Sequence, residues 1–108
     1  MNDFSIEAYN LGGKQRYSAK NMIRPTNFMY HDQTAKRVAV IGDFNDWHPD
    51  AHLMRHTPEG GWFLQIPLSH GHHHYLFLID GHKRVMDPRA QGVVRNELNE
   101  KVSLIAIS

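Results

Sequence analysis

From about residue 26 onward, short runs of alternating apolar and polar positions are separated by turns rich in Gly, Pro, Asn and Asp. The clearest run is WFLQIPL at residues 62–68, where alternate side chains share one face: Trp62, Leu64, Ile66 and Leu68. A period of two is typical of a half-buried strand. Trp62 is therefore predicted to be a core residue.

The same pattern predicts strands at residues 27–30, 37–41, 53–56, 62–68, 72–79, 83–86 and 101–107, with a loop at 43–51 and an irregular stretch at 89–96. Short strands joined by Gly/Pro/Asn turns, with no helical pattern among them, favour an all-β antiparallel β-sandwich. Periodicity is weak at the start of the chain. Residues 1–25 are therefore predicted to be an irregular, partly flexible N-terminal extension, and residues 26–108 a single β-sandwich domain.

Two of these strands are apolar on both faces. With Tyr75, Phe77 and Ile79 directed into the core, alternate residues of the same strands must point outward: Leu76, Leu78, Ala39 and Ile41. An apolar outer face needs a cover. Our hypothesis is that the cover is either a second subunit or part of the N-terminal segment, where Tyr17, Met22 and Ile23 are available.

Residues 38–47 read VAVIGDFNDW, a buried strand that changes at Gly42 into a turn ending on Trp47. Because Trp47 follows a polar loop, it is a candidate for an aromatic platform at the surface. A flat aromatic ring can pack against the C–H face of a pyranose sugar. The alternative is a tryptophan folded onto the core as a loop anchor.

A second motif, YLFLIDG at residues 75–81, is followed by Asp87-Pro88, and Gly61-Trp62 lies between the two motifs. Together they resemble the glycogen-binding domain of AMP-activated protein kinase β subunits and the N-terminal early-set domains of isoamylases and branching enzymes (carbohydrate-binding module family 48). The resemblance covers roughly residues 26–107. It implies an immunoglobulin-like early-set sandwich that binds α-1,4-glucan such as glycogen or malto-oligosaccharide, with Trp47 as a stacking platform.

The chain departs from the kinase-type pattern at two positions. Leu76 stands where those domains have a hydrogen-bonding lysine, and no second tryptophan follows Asp80-Gly81. Lys83 matches that position, or Arg84 if the register shifts by one residue. The resemblance therefore implies weaker glucan binding, with Lys83 and Arg84 as polar contacts.

The resemblance also implies contacts from the loop before the last strand. Its counterparts here are Leu98, Asn99 and Glu100, of which Leu98 and Asn99 are the predicted carbohydrate contacts.

Five of the nine histidines gather around one hairpin. His72 and His74, two apart on a strand, would share a face and could bind zinc or copper, with Asp80 and His82 as candidates to complete the ligand set. The alternative is a polar strand entrance without a metal. We expect no metal site and no cofactor.

Composition narrows the function classes. A formal charge of +1 argues against nucleic-acid binding, and the absence of cysteine excludes thiol chemistry and disulfides. No apolar run approaches membrane-spanning length and no leader peptide is visible, so a cytoplasmic location without membrane contact is expected. No carboxylate pair or nucleophile–base set is apparent, which predicts a protein that is not an enzyme.

These observations predict a stand-alone, non-catalytic α-glucan-binding module. The alternative is a protein-interaction module of the same fold that has lost sugar binding. Its partner would be a glucan-metabolising enzyme, or another copy of this chain bound through the apolar outer face.

Overall fold

Residues 22–108, the part of the chain that the computed structural model describes, form two antiparallel sheets. The strands in chain order are β1 (Ile23–His31), β2 (Val38–Gly42), β3 (Arg55–His56), β4 (Gly61–Ser69), β5 (Gly71–Ile79), β6 (Lys83–Val85), β7 (Gly92–Arg95) and β8 (Lys101–Ile107). One sheet has the order β1-β4-β3 and the other β2-β5-β8-β7, with β6 paired to the end of β5. This part of the chain contains no apolar helix of membrane-spanning length. The predicted all-β sandwich is confirmed.

The main core lies between the two sheets and draws on both of them: Phe28, Trp62, Ile66 and Leu68 from one, and Val38, Val40, Tyr75, Phe77, Ile79 and Ile107 from the other. The rings of Phe28 and Tyr75 meet edge to face at 5.0 Å. Trp62 is buried, and its indole N–H donates to the Asp32 carbonyl oxygen at 3.1 Å. The prediction that Trp62 is a core residue is therefore confirmed.

A second apolar cluster lies on the outer face of the larger sheet, and we call it the outer cluster: Ala39, Ile41, Leu76, Leu78 and Val102. All five side chains are buried, and Trp47 and Val94 pack against them. The predicted division of these strands into inward and outward residues is confirmed.

Met22 and Ile23, two of the N-terminal residues predicted to cover the outer cluster, lie elsewhere. Ile23 belongs to β1, in the sheet that does not carry the outer cluster; it pairs there with Ser69 of β4 and is exposed, as is Met22. These two residues therefore do not cover the outer cluster, and Tyr17 lies outside the described residues. The loop that ends at Trp47 supplies part of the cover from within the domain.

Two strand predictions were wrong. β1 begins at Ile23 and runs through Pro25, which is tolerated because β1 is an edge strand and Pro25 faces Pro67 across the pair. β7 lies inside the stretch predicted to be irregular. Its pairing with β8 places Val94 opposite Val102, and one apolar pair is too short to produce a visible period of two. The division of the chain at residue 26 stays a prediction, although β1 starts earlier.

The second sequence motif forms structural contacts. Asp80 and Gly81 both have positive φ, 52° and 79°, as a tight hairpin turn requires, and the Asp80 carboxylate accepts from the backbone N–H of Lys36 and Arg37. The Tyr75 hydroxyl donates to Asp87 at 2.7 Å. The motif therefore fixes the ends of β5.

The Tyr75–Asp87 contact makes a prediction for alkaline pH. Burial first, and then the hydrogen bond and charge of Asp87, raise the pKa of Tyr75 above its usual value. A raised pKa means that the fold favours the protonated phenol, so this stabilisation is present below the unfolded pKa of about 10 and is lost as pH rises above it. Urea unfolding between about pH 8 and about pH 11.5 should show a falling free energy of unfolding.

Tyr75→Phe is the matched variant. It should cost about 1–3 kcal/mol at neutral pH, because the Asp87 carboxylate loses a donor, and it should flatten the alkaline decline. Some decline should remain, because burial and then Asp32 also raise the pKa of Tyr30. An equally steep decline in the variant would contradict the assignment to Tyr75.

Candidate functional site

The loop between β2 and Trp47 is fixed by its own side chains. The Asn45 amide accepts from the Gly42 N–H at 3.0 Å and donates to the Val40 carbonyl oxygen at 2.9 Å. The Trp47 N–H returns to the Gly42 carbonyl oxygen at 2.9 Å. Asp46 and Trp47 both have φ near +57°, which the preceding Asn45 contacts hold in place. The motif therefore encodes one defined position for the indole.

Two further residues tie this loop to the sandwich. Asp43 accepts from the His74 N–H at 2.9 Å, which joins the loop to β5. The Phe44 ring packs into the main core, with its centroid 6.2 Å from that of Phe28 and 6.0 Å from the His73 ring. Asp43, Phe44 and Asn45 thus each make a structural contact that positions the tryptophan.

Trp47 combines features of both interpretations of the sequence. Its ring is half-buried and packs against the outer cluster, as a loop anchor would. It is also not sealed inside the protein, and the guanidinium carbon of Arg84 lies 5.8 Å from the ring centroid. An indole that packs on the outer cluster and stays half-exposed can offer apolar surface to a ligand. Its role as a stacking platform stays a prediction.

Arg84 reaches Trp47 because of its strand register. It lies opposite Leu78, a member of the outer cluster, so its side chain projects on the same face of the sheet. Its Nε and Nη2 atoms donate to the two carboxylate oxygens of Glu100, each at 2.9 Å. Both side chains remain partly accessible to solvent, at 43% and 33%. The result is a bidentate ion pair beside the indole.

Glu100 closes the hairpin loop between β7 and β8. The Asn96 side-chain oxygen accepts from the N–H groups of Leu98 and Glu100, both at 2.9 Å, and its amide nitrogen donates to the Glu100 carboxylate at 3.2 Å. Leu98 is 86% exposed at the loop tip. Asn99 has a positive φ, and its carbonyl oxygen accepts from Arg95 at 2.8 Å. The Arg84–Glu100 pair therefore connects the Trp47 region to the loop that carries Leu98 and Asn99.

Lys83 is not part of this group. It lies opposite Ile79, which belongs to the main core, so Lys83 and Arg84 project toward opposite faces of their strand. Lys83 lies instead toward Asp32, whose pKa is lowered chiefly by hydrogen bonds from Thr34 and also by the Lys83 charge. Of the two basic residues that the sequence left open, the structure brings Arg84 alone to Trp47.

The histidines of β5 contribute separately. His72 and His74 lie on the outer face, opposite Ala106 and Leu104 of β8. His73 contacts the Ser69 carbonyl oxygen through Nε2 at 2.8 Å, and its Nδ1 lies 3.4 Å from the Asp43 carboxylate. Among residues 22–108, no three His, Cys, Asp or Glu side chains are grouped so that they could hold a metal ion. The candidate pair His72 and His74 thus has no complete ligand set in the described region.

Trp47, Arg84, Glu100 and the loop that carries Leu98 form an open surface, which we call the Trp47 surface. It presents the Trp47 ring and the Leu98 side chain beside both hydrogen-bond donors and acceptors, and the charges of Arg84 and Glu100 neutralise each other. A cavity of about 510 Å³ lies elsewhere, lined by residues that include Met29, Tyr30 and Phe63 and none of the Trp47 surface. The Trp47 surface therefore suits an uncharged ligand with an apolar face and many hydroxyls.

Sequence reasoning named Trp47, Arg84, Leu98 and Asn99 as contacts but gave no role to the pairing of Glu100 with Arg84. The two residues are 16 positions apart, and no local motif links them. Opposite charges on neighbouring hairpins are the signal that could have suggested the pair.

The family model described as "Glycogen recognition site of AMP-activated protein kinase" matches residues 24–108. That family consists of carbohydrate-binding modules and not of catalytic domains.

Similar curated proteins are 1,4-alpha-glucan branching enzymes. One from Rhodopseudomonas palustris (strain HaA2) is 41% identical over 59 residues, which is 55% of this chain and 8% of the relative. Another, from Rhodopseudomonas palustris (strain ATCC BAA-98 / CGA009), is 33% identical over 89 residues, which is 75% of this chain and 12% of the relative. This chain therefore spans about a tenth of the length of these relatives. Since the family model covers residues 24–108, the chain belongs to the family of glycogen recognition sites of AMP-activated protein kinase.

Proposed function

We propose that the chain is a non-catalytic α-glucan-binding module whose binding site is the Trp47 surface. The observation that carries this proposal is the position of the Trp47 ring, anchored on the outer cluster and flanked by Arg84 at 5.8 Å, in a chain of a glycogen-recognition family. The ligand would be an α-1,4-glucan such as glycogen or a malto-oligosaccharide.

Binding would combine three contacts. The C–H face of a glucose ring packs against the accessible part of Trp47, while Arg84 and Asn99 hydrogen-bond to hydroxyls. Leu98, which is 86% exposed, offers an apolar contact to the next sugar along the chain. Such an exposed surface would contact the side of an α-1,4-linked chain and would not enclose its end.

The same surface supports a weak interaction. Leu76 is buried in the outer cluster and cannot supply the hydrogen bond that a lysine would make there. A lost hydrogen bond and a lost second aromatic ring are each worth about 0.5–1.5 kcal/mol. Together they weaken binding by about five- to 150-fold relative to a site that has both.

Titration with maltoheptaose, followed by tryptophan emission, tests the proposal. The chain contains two tryptophans, and Trp62 is buried in the main core, so a ligand-dependent change in emission would report on Trp47. We expect a saturable change with maltoheptaose and none with a β-1,4-linked glucan oligomer of similar length. Unchanged emission at about ten millimolar maltoheptaose, a concentration at which a weak site fills, would contradict the proposal.

A second candidate is a docking module for a glucan-metabolising enzyme, favoured by Leu76 and by the missing second tryptophan. The branching-enzyme relatives, in which the matched region is about a tenth of the chain, make such an enzyme a reasonable partner. Self-association through the outer face is not proposed, because the outer cluster is already buried. Failure to bind maltoheptaose together with saturable binding to a branching enzyme would favour this candidate.

A further inference from the structure

The Arg84–Glu100 ion pair is held at both ends before any ligand arrives. Glu100 is fixed by the closed loop, in which its N–H donates to Asn96 and its carboxylate accepts from the Asn96 amide. Arg84 is fixed by the two 2.9 Å hydrogen bonds to that carboxylate. Two long side chains are therefore already ordered, and a ligand that uses them would not have to order them on binding.

The pair also has unused hydrogen-bonding capacity on its solvent side. A guanidinium has five N–H donors, of which Glu100 takes two. A carboxylate has about four acceptor positions, and Arg84 and Asn96 fill three of them. Nη1 of Arg84 has no acceptor among the described residues. The pair thus offers donors and an acceptor side by side, and both side chains are partly exposed.

Adjacent hydroxyls of a sugar match this combination, because each hydroxyl can accept one hydrogen bond and donate another. In an α-1,4-glucan the adjacent free hydroxyls of each internal glucose are those at O2 and O3. A lone arginine would supply donors alone, and its charge would favour anionic ligands. Because Glu100 neutralises the charge of Arg84, the pair suits an uncharged diol.

We propose that Glu100 is a specificity-determining residue of the glucan site: it accepts a hydrogen bond from the O2/O3 diol of the glucose that contacts Trp47, and it holds Arg84 in position to donate to the same diol. This inference rests on the proposed function of the Trp47 surface. It narrows the ligand class to neutral α-glucans in which O2 and O3 are unsubstituted.

Methylated cyclic α-1,4-glucans provide the test. Methylation at O2 and O3 removes the hydroxyl donors but leaves oxygen atoms that can still accept from Arg84, so the loss should involve Glu100. We expect β-cyclodextrin methylated at O2 and O3 to bind the wild-type chain about tenfold more weakly than β-cyclodextrin, as measured by calorimetry. Methylation at O6 should change the affinity by less than about twofold.

A cycle that combines this ligand change with Glu100→Ala isolates the interaction. Glu100→Ala should weaken β-cyclodextrin binding by about tenfold, and methylation at O2 and O3 should then cause almost no further loss. A residue that acted through loop structure alone would give independent losses that multiply. Glu97→Ala is the matched control, because it removes the same charge from the same loop. Glu97 is exposed and has no hydrogen bond in the described region.

The outcomes distinguish a failure of the proposed role of Glu100 from a failure of the proposed glucan-binding function. Binding that depends on Trp47 but is equal for ligands methylated at O2/O3 and at O6, or losses that multiply in the cycle, would overturn the role of Glu100 and leave the glucan module intact. No binding of β-cyclodextrin by the wild-type chain would overturn both. If Glu100→Ala fails to fold in thermal unfolding, the cycle is run with Glu100→Gln, which keeps the shape of the side chain but replaces one of its two acceptor oxygens with a donor.

Discussion

Trp47→Ala should reduce affinity for maltoheptaose by about 30-fold. One face of an indole buries about 80 Å² against a sugar ring, which contributes roughly 2 kcal/mol at about 25 cal/mol per Å². The variant lacks the fluorescent reporter, so calorimetry or glycogen affinity electrophoresis is the suitable measurement. A correctly folded Trp47→Ala protein that binds maltoheptaose like the wild type would remove the basis of the proposed function.

Two control variants separate binding from folding. Because Trp47 packs against the outer cluster, its truncation should also cost about 1–3 kcal/mol of unfolding free energy. Trp47→Phe keeps a ring on the cluster and should show an intermediate loss of affinity at little cost in stability. Leu98 is 86% exposed, so Leu98→Ala should weaken glucan binding without changing the free energy of unfolding.

The fold could be predicted because central strands of the larger sheet carry apolar residues on both of their faces. Alternation in residues 72–79 assigned Phe77 to the interior and Leu76 to the opposite face, and the structure buries both in separate clusters. Period-two reasoning works here because the side-chain direction of a strand depends on parity alone.

The same reasoning failed where pairing, and not composition, makes the strand. β7 gains its hydrogen bonds from β8, and its residue Val93 is exposed while Val94 is partly buried. Pro25 indicated the end of a segment, yet an edge strand needs no N–H on its outer side. Both outcomes depend on a distant neighbour that a local pattern does not contain.

For the candidate site, the motif identified the loop and its tryptophan, but not the environment of the ring. Choosing between Lys83 and Arg84 required the register between β5 and β6, since a shift of one residue exchanges the two faces. The ion pair with Glu100 required in addition the closed loop around Asn96. The residues were visible in the sequence, and their contacts came from tertiary structure.

Gly42→Ala should be among the most destabilising single substitutions in the chain, with a loss of about 2–3 kcal/mol of unfolding free energy. Gly42 has extended backbone angles that any residue can adopt, so the expected loss comes from steric overlap of the added Cβ and not from backbone strain. A Cβ there would lie 2.6 Å from the His74 carbonyl oxygen and 2.6 Å from the Phe44 ring. The backbone of β5 cannot move aside without breaking its pairing with β2. Thermal unfolding should show a midpoint lowered by about 10 °C or more.

Gly92→Ala is the matched control, because it adds the same methyl group to a strand of the same sheet. The nearest atom to its Cβ would be the end of the Leu104 side chain at 3.4 Å, an ordinary contact, so stability should change by less than about 1 kcal/mol. Equal midpoints for the two variants would show that the close approach at Gly42 does not constrain the fold. If Gly42→Ala is the less stable variant, its glucan affinity should also fall at temperatures where it remains folded. The reason is that the Gly42 backbone bonds with both Asn45 and Trp47, so any shift at this glycine moves the indole from the position that the binding site needs.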